Sequence, residues 1–186
     1  FRTVLQREAT AEELDSLVGK PVRKVMSQLF PEHGESIMAR AVEHYHANCE
    51  SIRCYDGVKE MIKRLAADYA LAIVSSKPRM YILRELEVHE LLAFFPVIVG
   101  QEDTELHKPH PAPLLLAAEQ LDIEPEHCMY VGDQPTDMIA AHRAGMVSAA
   151  ALWGEGKRER LSAVSPRYVF EHPHSLLRSF SGKPLD

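Results

Sequence analysis

Met129-Tyr130-Val131-Gly132-Asp133-Gln134-Pro135-Thr136-Asp137 decides how this chain is read. An apolar run ends at Gly132, and a helical pattern, Met138 to Ala144, follows. Two carboxylates therefore fall where a buried strand turns into a helix. In an open parallel sheet, ligands bind at that edge, outside the carboxyl ends of the strands. Carboxylates there suit a hard cation such as Mg²⁺, which takes oxygen ligands and keeps waters or phosphate oxygens as the rest. A purely structural account stands beside this one. Asp133 ends a strand, and Asp137 sits in a first helical turn, where the dipole favours it.

Two other strand-to-helix connections carry polar residues. The run Tyr69 to Val74 ends at Ser75-Ser76-Lys77-Pro78. A hydroxyl and free N–H groups at a helix start make an anion site, or the serine is a plain N-cap. Lys108 lies in Leu106-His107-Lys108-Pro109-His110-Pro111, where two prolines stiffen the loop and the second can open a helix. A lysine so held can be aimed at a phosphate, or it is a solvated surface lysine. Taken together, the three connections would give one sheet rim a hydroxyl, a cation and metal ligands. That combination suits phosphate chemistry, in which positioning and charge neutralisation supply most of the catalysis.

Composition narrows the classes. The chain has 186 residues, 46% of them apolar, and a formal net charge of −6. Such acidity argues against broad electrostatic binding of nucleic acid. Cys49, Cys54 and Cys128 are odd in number and lack metal-ligand spacing, which fits reduced thiols in a cytoplasmic compartment. No apolar run reaches transmembrane length, so no membrane partner is expected. The ten histidines show no ligand spacing, and none is assigned a metal. The first residue is Phe1, a hint that the chain begins inside a longer protein.

The pattern changes near Tyr55. Residues 1 to about 50 read as helix, with a capping box at Thr10-Ala11-Glu12-Glu13. Gly19-Lys20-Pro21 is expected to stop one helix, and Pro21 to open the next. A further helix is expected from Ser36 to about Glu50. From Asp56 onward strands and helices alternate. Strands are expected at 69–74, 96–99, 129–131, 147–152 and 167–170, and helices at 58–65, after Pro78, at 112–121, at 138–144 and from Ser175. Alternation of this kind predicts an α/β fold, a Rossmann-like parallel sheet with helices on both faces.

On these motifs the chain resembles the haloacid dehalogenase (HAD)-like phosphatases, the phosphoglycolate phosphatase-like group with an inserted helical cap domain. Ile73-Val74-Ser75-Ser76-Lys77 resembles that family's second motif. Lys108 with its prolines resembles the third, and Gly132-Asp133 to Asp137 the fourth. The resemblance implies a helical cap at 1–54 and a HAD-like core at 55–186. It implies Ser75, Lys108 and Asp133 as catalytic residues, Ser75, Ser76 and Lys108 as substrate-binding residues, and Asp133 as Mg²⁺ ligand with Asp137 supporting it in the metal site. Lys20 and Arg23 flank a turn that resembles a substrate-facing cap loop, although a solvated helix start is the plainer role. The implied activity is Mg²⁺-dependent hydrolysis of a small phosphate ester such as phosphoglycolate, with inorganic pyrophosphatase, phosphomutase or an inactive remnant as alternatives. The expected partner is a small phosphorylated metabolite, and the expected assembly a monomer or homodimer.

One motif is missing. The family's nucleophile and general acid stand in Asp-x-Asp-Gly-Thr after the first strand, and no such motif occurs here. Asp56-Gly57 is the single Asp-Gly pair, preceded by Cys54 and followed by Val58, and it reads as the linker from cap to core. The resemblance therefore implies that the first, central strand is absent from this chain and lies upstream. Two buried strands would then face a gap with unpaired edges. An unsatisfied buried backbone group costs on the order of 1–3 kcal/mol, against a net stability of about 5–15 kcal/mol. The expectation is a chain that folds poorly or rearranges its sheet.

Overall fold

The computed structural model describes residues 1–17 and 22–180. Contacts divide the chain into two compact units, Phe1–Ile52 and Arg53–Asp186.

The first unit is helical. It holds α1 (Arg2–Leu5), α2 (Ala11–Leu17), α3 (Val22–Leu29) and α4 (Gly34–Asn48). The capping box forms as expected: Glu13 N–H donates to Thr10 Oγ1 at 3.2 Å, and Thr10 N–H to Glu13 Oε2 at 2.8 Å. Arg7 closes on the same carboxylate from both guanidinium nitrogens. Helix α4 starts two residues earlier than expected because Gly34 is where it crosses α3. A Cβ there would lie 2.8 Å from Met26 O. The expected stop at Gly19-Lys20-Pro21 falls outside the described residues, as does Lys20 itself.

The second unit alternates as the sequence predicts: α5 (Val58–Leu65), β1 (Ala72–Val74), α6 (Arg79–Val88), β2 (Val97–Val99), α7 (Ala112–Leu121), β3 (Met129–Gly132), α8 (Pro135–Ala144), β4 (Val147–Ala151), α9 (Arg158–Ser162), β5 (Tyr168–Phe170) and α10 (Pro173–Phe180). All pairings are parallel: β1 with β2, β3 with β4, and β4 with β5. Helices cover both faces. Leu114 and Ala118 of α7 pack with Ala140, Ala141 and Ala144 of α8 beneath, while Met61 and Leu65 of α5 pack with Leu176 and Phe180 of α10 above.

The sheet is in two pieces. Among the described residues, β1–β2 and β3–β4–β5 are not joined by any ladder. Strands β1 and β3 face each other across a gap, without a ladder between them among the described residues. The first strand is shorter than the apolar run that predicted it. Residues 66–69 instead close α5 in turns, with Asp68 and Tyr69 both donating to Leu65 O, and Tyr69 OH donates to Phe180 O at 2.7 Å.

Candidate active site

Three strand ends contribute to one rim. At the end of β3, the chain turns sharply into α8, with Pro135 at the first helical position and Asp137 closing the N-terminal turn. Asp137 Oδ2 accepts the N–H groups of Asp133 at 3.2 Å and Gln134 at 3.0 Å. Its other oxygen, Oδ1, lies 2.7 Å from Lys108 Nζ, with 9% of the lysine side chain and 7% of the aspartate exposed. Gly132 makes this possible, because a Cβ there would strike the Asp137 side chain.

Lys108 also donates to Tyr130 Oη at 2.8 Å, and that hydroxyl donates to Val74 O at 2.9 Å. The lysine loop is thereby tied to the residue before Ser75. Burial pushes the Tyr130 phenol up to about 12, against the pull of Lys108. It is therefore neutral and able to donate to Val74 while accepting from the lysine. Burial alone would lower the Lys108 pKa, but Tyr130 and Asp137 outweigh it and hold the ammonium charged above the ordinary lysine value. Arg143 fixes the same loop from α8 by donating to Pro109 O at 3.0 Å.

Ser75 stands at the end of β1. Its Oγ accepts the N–H of Lys77 at 3.2 Å, a serine turn in the loop ahead of α6 rather than its N-cap, which is Pro78. Ser76 follows it, half-buried. Asp133 is cradled by the loop after β4. Glu155 N–H donates to Asp133 Oδ2 at 2.7 Å, and a Cβ on Gly154 would lie 2.5 Å from that oxygen.

The structure thus links Lys108, Tyr130 and Asp137 to the backbone of Asp133 and, through Val74 O, to the residue before Ser75, whose own side-chain bond goes to Lys77. Asp137 spends both oxygens inside this network, which makes it the support for Lys108 and for the turn. Asp133 has one oxygen, Oδ2, committed to the Glu155 N–H, and among the described residues no donor reaches the other. One or two carboxylates with water and phosphate oxygens suit Mg²⁺, so the residues present fit that ion with Asp133 as the protein ligand. Among the described residues no cluster of three or more His, Cys, Asp or Glu side chains is placed to hold a metal. Arg23 pairs with Glu35 at 2.7 Å on the exposed surface of the first unit.

Sequence reading missed two contributors. Tyr130 was legible only as an apolar strand residue. Its hydroxyl, which must find a partner when buried, is the hub between β1, β3 and the lysine loop. The Asp133 cradle has its own signal in Gly154-Glu155-Gly156, two glycines one residue apart just after a strand, where backbone must approach closely.

Comparison with known proteins agrees with this geometry. Residues 1–151 match the haloacid dehalogenase-like hydrolase family, and the chain belongs to it. It is a phosphatase-type hydrolase by fold and relatives. It is 37% identical over 177 residues to the putative pyrophosphatase PpaX of Caldanaerobacter subterraneus, covering 92% of this chain and 79% of that protein. It is 31% identical to pyrophosphatase PpaX of Bacillus cereus, covering 95% and 83%. Among solved structures, a predicted phosphoglycolate phosphatase from Haemophilus somnus superposes with a TM-score of 0.82 at 22% identity, covering 96% of this chain and 85% of that one. That likeness shows the fold.

Proposed function

We propose that the protein is a Mg²⁺-dependent phosphatase of a small phosphorylated metabolite. The observation that carries this reading is the buried Lys108–Asp137 pair at the mouth of β3, beside the half-committed carboxylate of Asp133. An ammonium has three N–H donors; Asp137 and Tyr130 take two, and the third serves a phosphoryl oxygen. Ser75 Oγ and the backbone of its turn hold another. Mg²⁺ on Asp133 would neutralise charge on the phosphoryl group. Asp137 keeps the lysine charged and aimed, and the Glu155 N–H holds one oxygen of Asp133.

The nucleophile in this reading is an aspartate from a segment outside the 186 residues, attacking phosphorus in line to give an aspartyl-phosphate that water then hydrolyses. Inorganic pyrophosphate is the first substrate to test, because the curated relatives carry that name; phosphoglycolate is the second. Cytoplasmic location suits reduced thiols and this substrate class, and among the described residues no helix is long and apolar enough to cross a membrane.

The test is phosphate release by the polypeptide extended to relatives' length, with pyrophosphate, phosphoglycolate and sugar phosphates, with and without Mg²⁺. Turnover that needs Mg²⁺ and falls at least a hundredfold in Asp133→Ala is expected. Absence of release from every substrate would leave the inactive remnant as the answer.

A further inference from the structure

Helix α6 starts without a cap of its own. Its N-cap, Pro78, makes no side-chain hydrogen bond, its first turn holds no acidic residue, and its first residue is a cation, Arg79. A positive side chain there opposes the helix dipole. The compensation comes from 23 residues further on, in the turn after β2. Glu102 accepts the Arg79 N–H with both carboxylate oxygens, at 3.0 and 3.1 Å. The Arg79 guanidinium turns back to donate to Ile98 O and lies 3.5 Å from Asp103 Oδ2. That same oxygen accepts the Gly100 N–H at 2.7 Å. Gln101 N–H donates to Lys77 O at 3.0 Å, and Ser75 N–H to Val99 O at 2.9 Å. Gly100 lets the two loops touch, since a Cβ there would lie 2.7 Å from Arg79 N.

The loops so joined carry two of the groups that the functional reading gives to phosphoryl oxygens. The Ser75 turn lies on one. The other runs on to Lys108, past a turn in which the Thr104 hydroxyl donates to Leu106 O at 3.0 Å. A serine or aspartate beside the helix would cap α6 as well, but it would not fix one loop against the other. Glu102 is exposed, and the Arg79 and Asp103 side chains are 42% and 29% exposed. Ion pairs in such settings contribute little to stability. We propose that Glu102 and Arg79 are positioning residues, a clamp that sets the Ser75 turn against Lys108 so that both meet one phosphoryl group. The role rests on the phosphatase reading, and neither residue touches substrate in it. Glu102 also takes a helix N–H that an anion would otherwise use, which leaves the phosphoryl group to the serine turn and not to the start of α6.

The test uses the polypeptide of the phosphate-release assay, with the same substrates. Glu102→Ala removes the acceptor, whereas Glu102→Gln keeps one oxygen for the Arg79 N–H without the charge. Glu102→Ala is expected to lower kcat/KM at least tenfold and to speed amide exchange at Lys77 and Gln101 at least tenfold, with the urea midpoint nearly unmoved. Glu102→Gln is expected to return kcat/KM to within threefold of the parent. Arg79→Gln keeps the backbone N–H, takes the guanidinium from Ile98 O and Asp103, and is expected to lose at least threefold. Parent-like turnover in Glu102→Ala would overturn the clamp. So would parent-like exchange at both amides, or a loss in Glu102→Gln equal to that in Glu102→Ala. A loss of turnover that tracks a falling urea midpoint would make Glu102 a structural cap and overturn the positioning role. A parent inactive on every substrate overturns the phosphatase reading and the positioning role with it. An active parent with unaffected variants overturns the positioning role alone.

Discussion

Lys108 Nζ stands 2.7 Å from Asp137 Oδ1, and both side chains are more than nine-tenths buried. The pair ties the loop before α7 to the first turn of α8. Each charge has left water, and only the partner and its hydrogen bonds compensate. Removing one member strands the other. Lys108→Met is therefore expected to cost about 3–5 kcal/mol, read as a lower urea midpoint. Asp137→Asn is expected to cost a similar amount, because the amide supplies no charge to the ammonium. The paired variant Lys108→Met with Asp137→Leu should lose less than the two single costs added together. Additive losses in that cycle would show that the two side chains are not coupled.

The same network predicts alkaline sensitivity. Burial holds the Tyr130 phenol up to about 12, above its usual value of about 10, and Lys108 is also raised. For both groups the native state holds the proton more tightly than the unfolded chain does. Their contribution is complete below about pH 10 and is lost as pH rises through the folded values. Urea midpoints should be flat from pH 7 to 9 and fall between about pH 10 and 12. Tyr130→Phe should start lower at pH 7 by about 1–3 kcal/mol, since Val74 O and one lysine N–H lose a partner, and then fall less steeply. A variant that parallels the parent across that range would remove Tyr130 from the explanation.

Much of this was legible before the structure. Strand β3 and its turn, the lysine loop and the serine turn all follow from apolar runs broken by Gly, Pro and Ser, signals that act locally. What was not legible depends on contacts distant in sequence. The run 69–74 is apolar throughout, yet only Ala72–Val74 is strand, because Tyr69 sends its hydroxyl to Phe180, 111 residues away. Asp137 reads as a second metal carboxylate by spacing. Its two oxygens are spent on Lys108 and two backbone N–H groups, a fact set by a residue 29 positions upstream.

The turn at Asp56-Gly57 gives a backbone test. Gly57 has φ of +82°, and a Cβ there would lie 3.0 Å from His174 Nε2. It precedes α5, which roofs the sheet. Gly57→Ala forces an L side chain into the left-handed region and against the imidazole, and a loss of about 1–2 kcal/mol is expected. Gly145, also at positive φ but with open space around its Cβ position, separates the two effects. Gly145→Ala should lose less, by urea denaturation, than Gly57→Ala does.

Asp133 owes its direction to a loop rather than to its own turn. Glu155 N–H holds Oδ2 at 2.7 Å, and Gly154 and Gly156 let that loop close, since a Cβ on Gly156 would overlap Asp133 O. Gly156→Ala must therefore push the loop outward, and overpacking of this kind costs about 1–3 kcal/mol. The functional effect should exceed the structural one. With the Glu155 N–H withdrawn, Asp133 is free to turn, and Mg²⁺ affinity, measured by titration calorimetry, should fall at least tenfold at a temperature where the variant remains folded. Glu155→Gln keeps the backbone N–H and should leave that affinity within about twofold. If Glu155→Gln weakened the ion as much as Gly156→Ala, the side chain and not the backbone would be orienting Asp133, and the cradle would have to be reassigned.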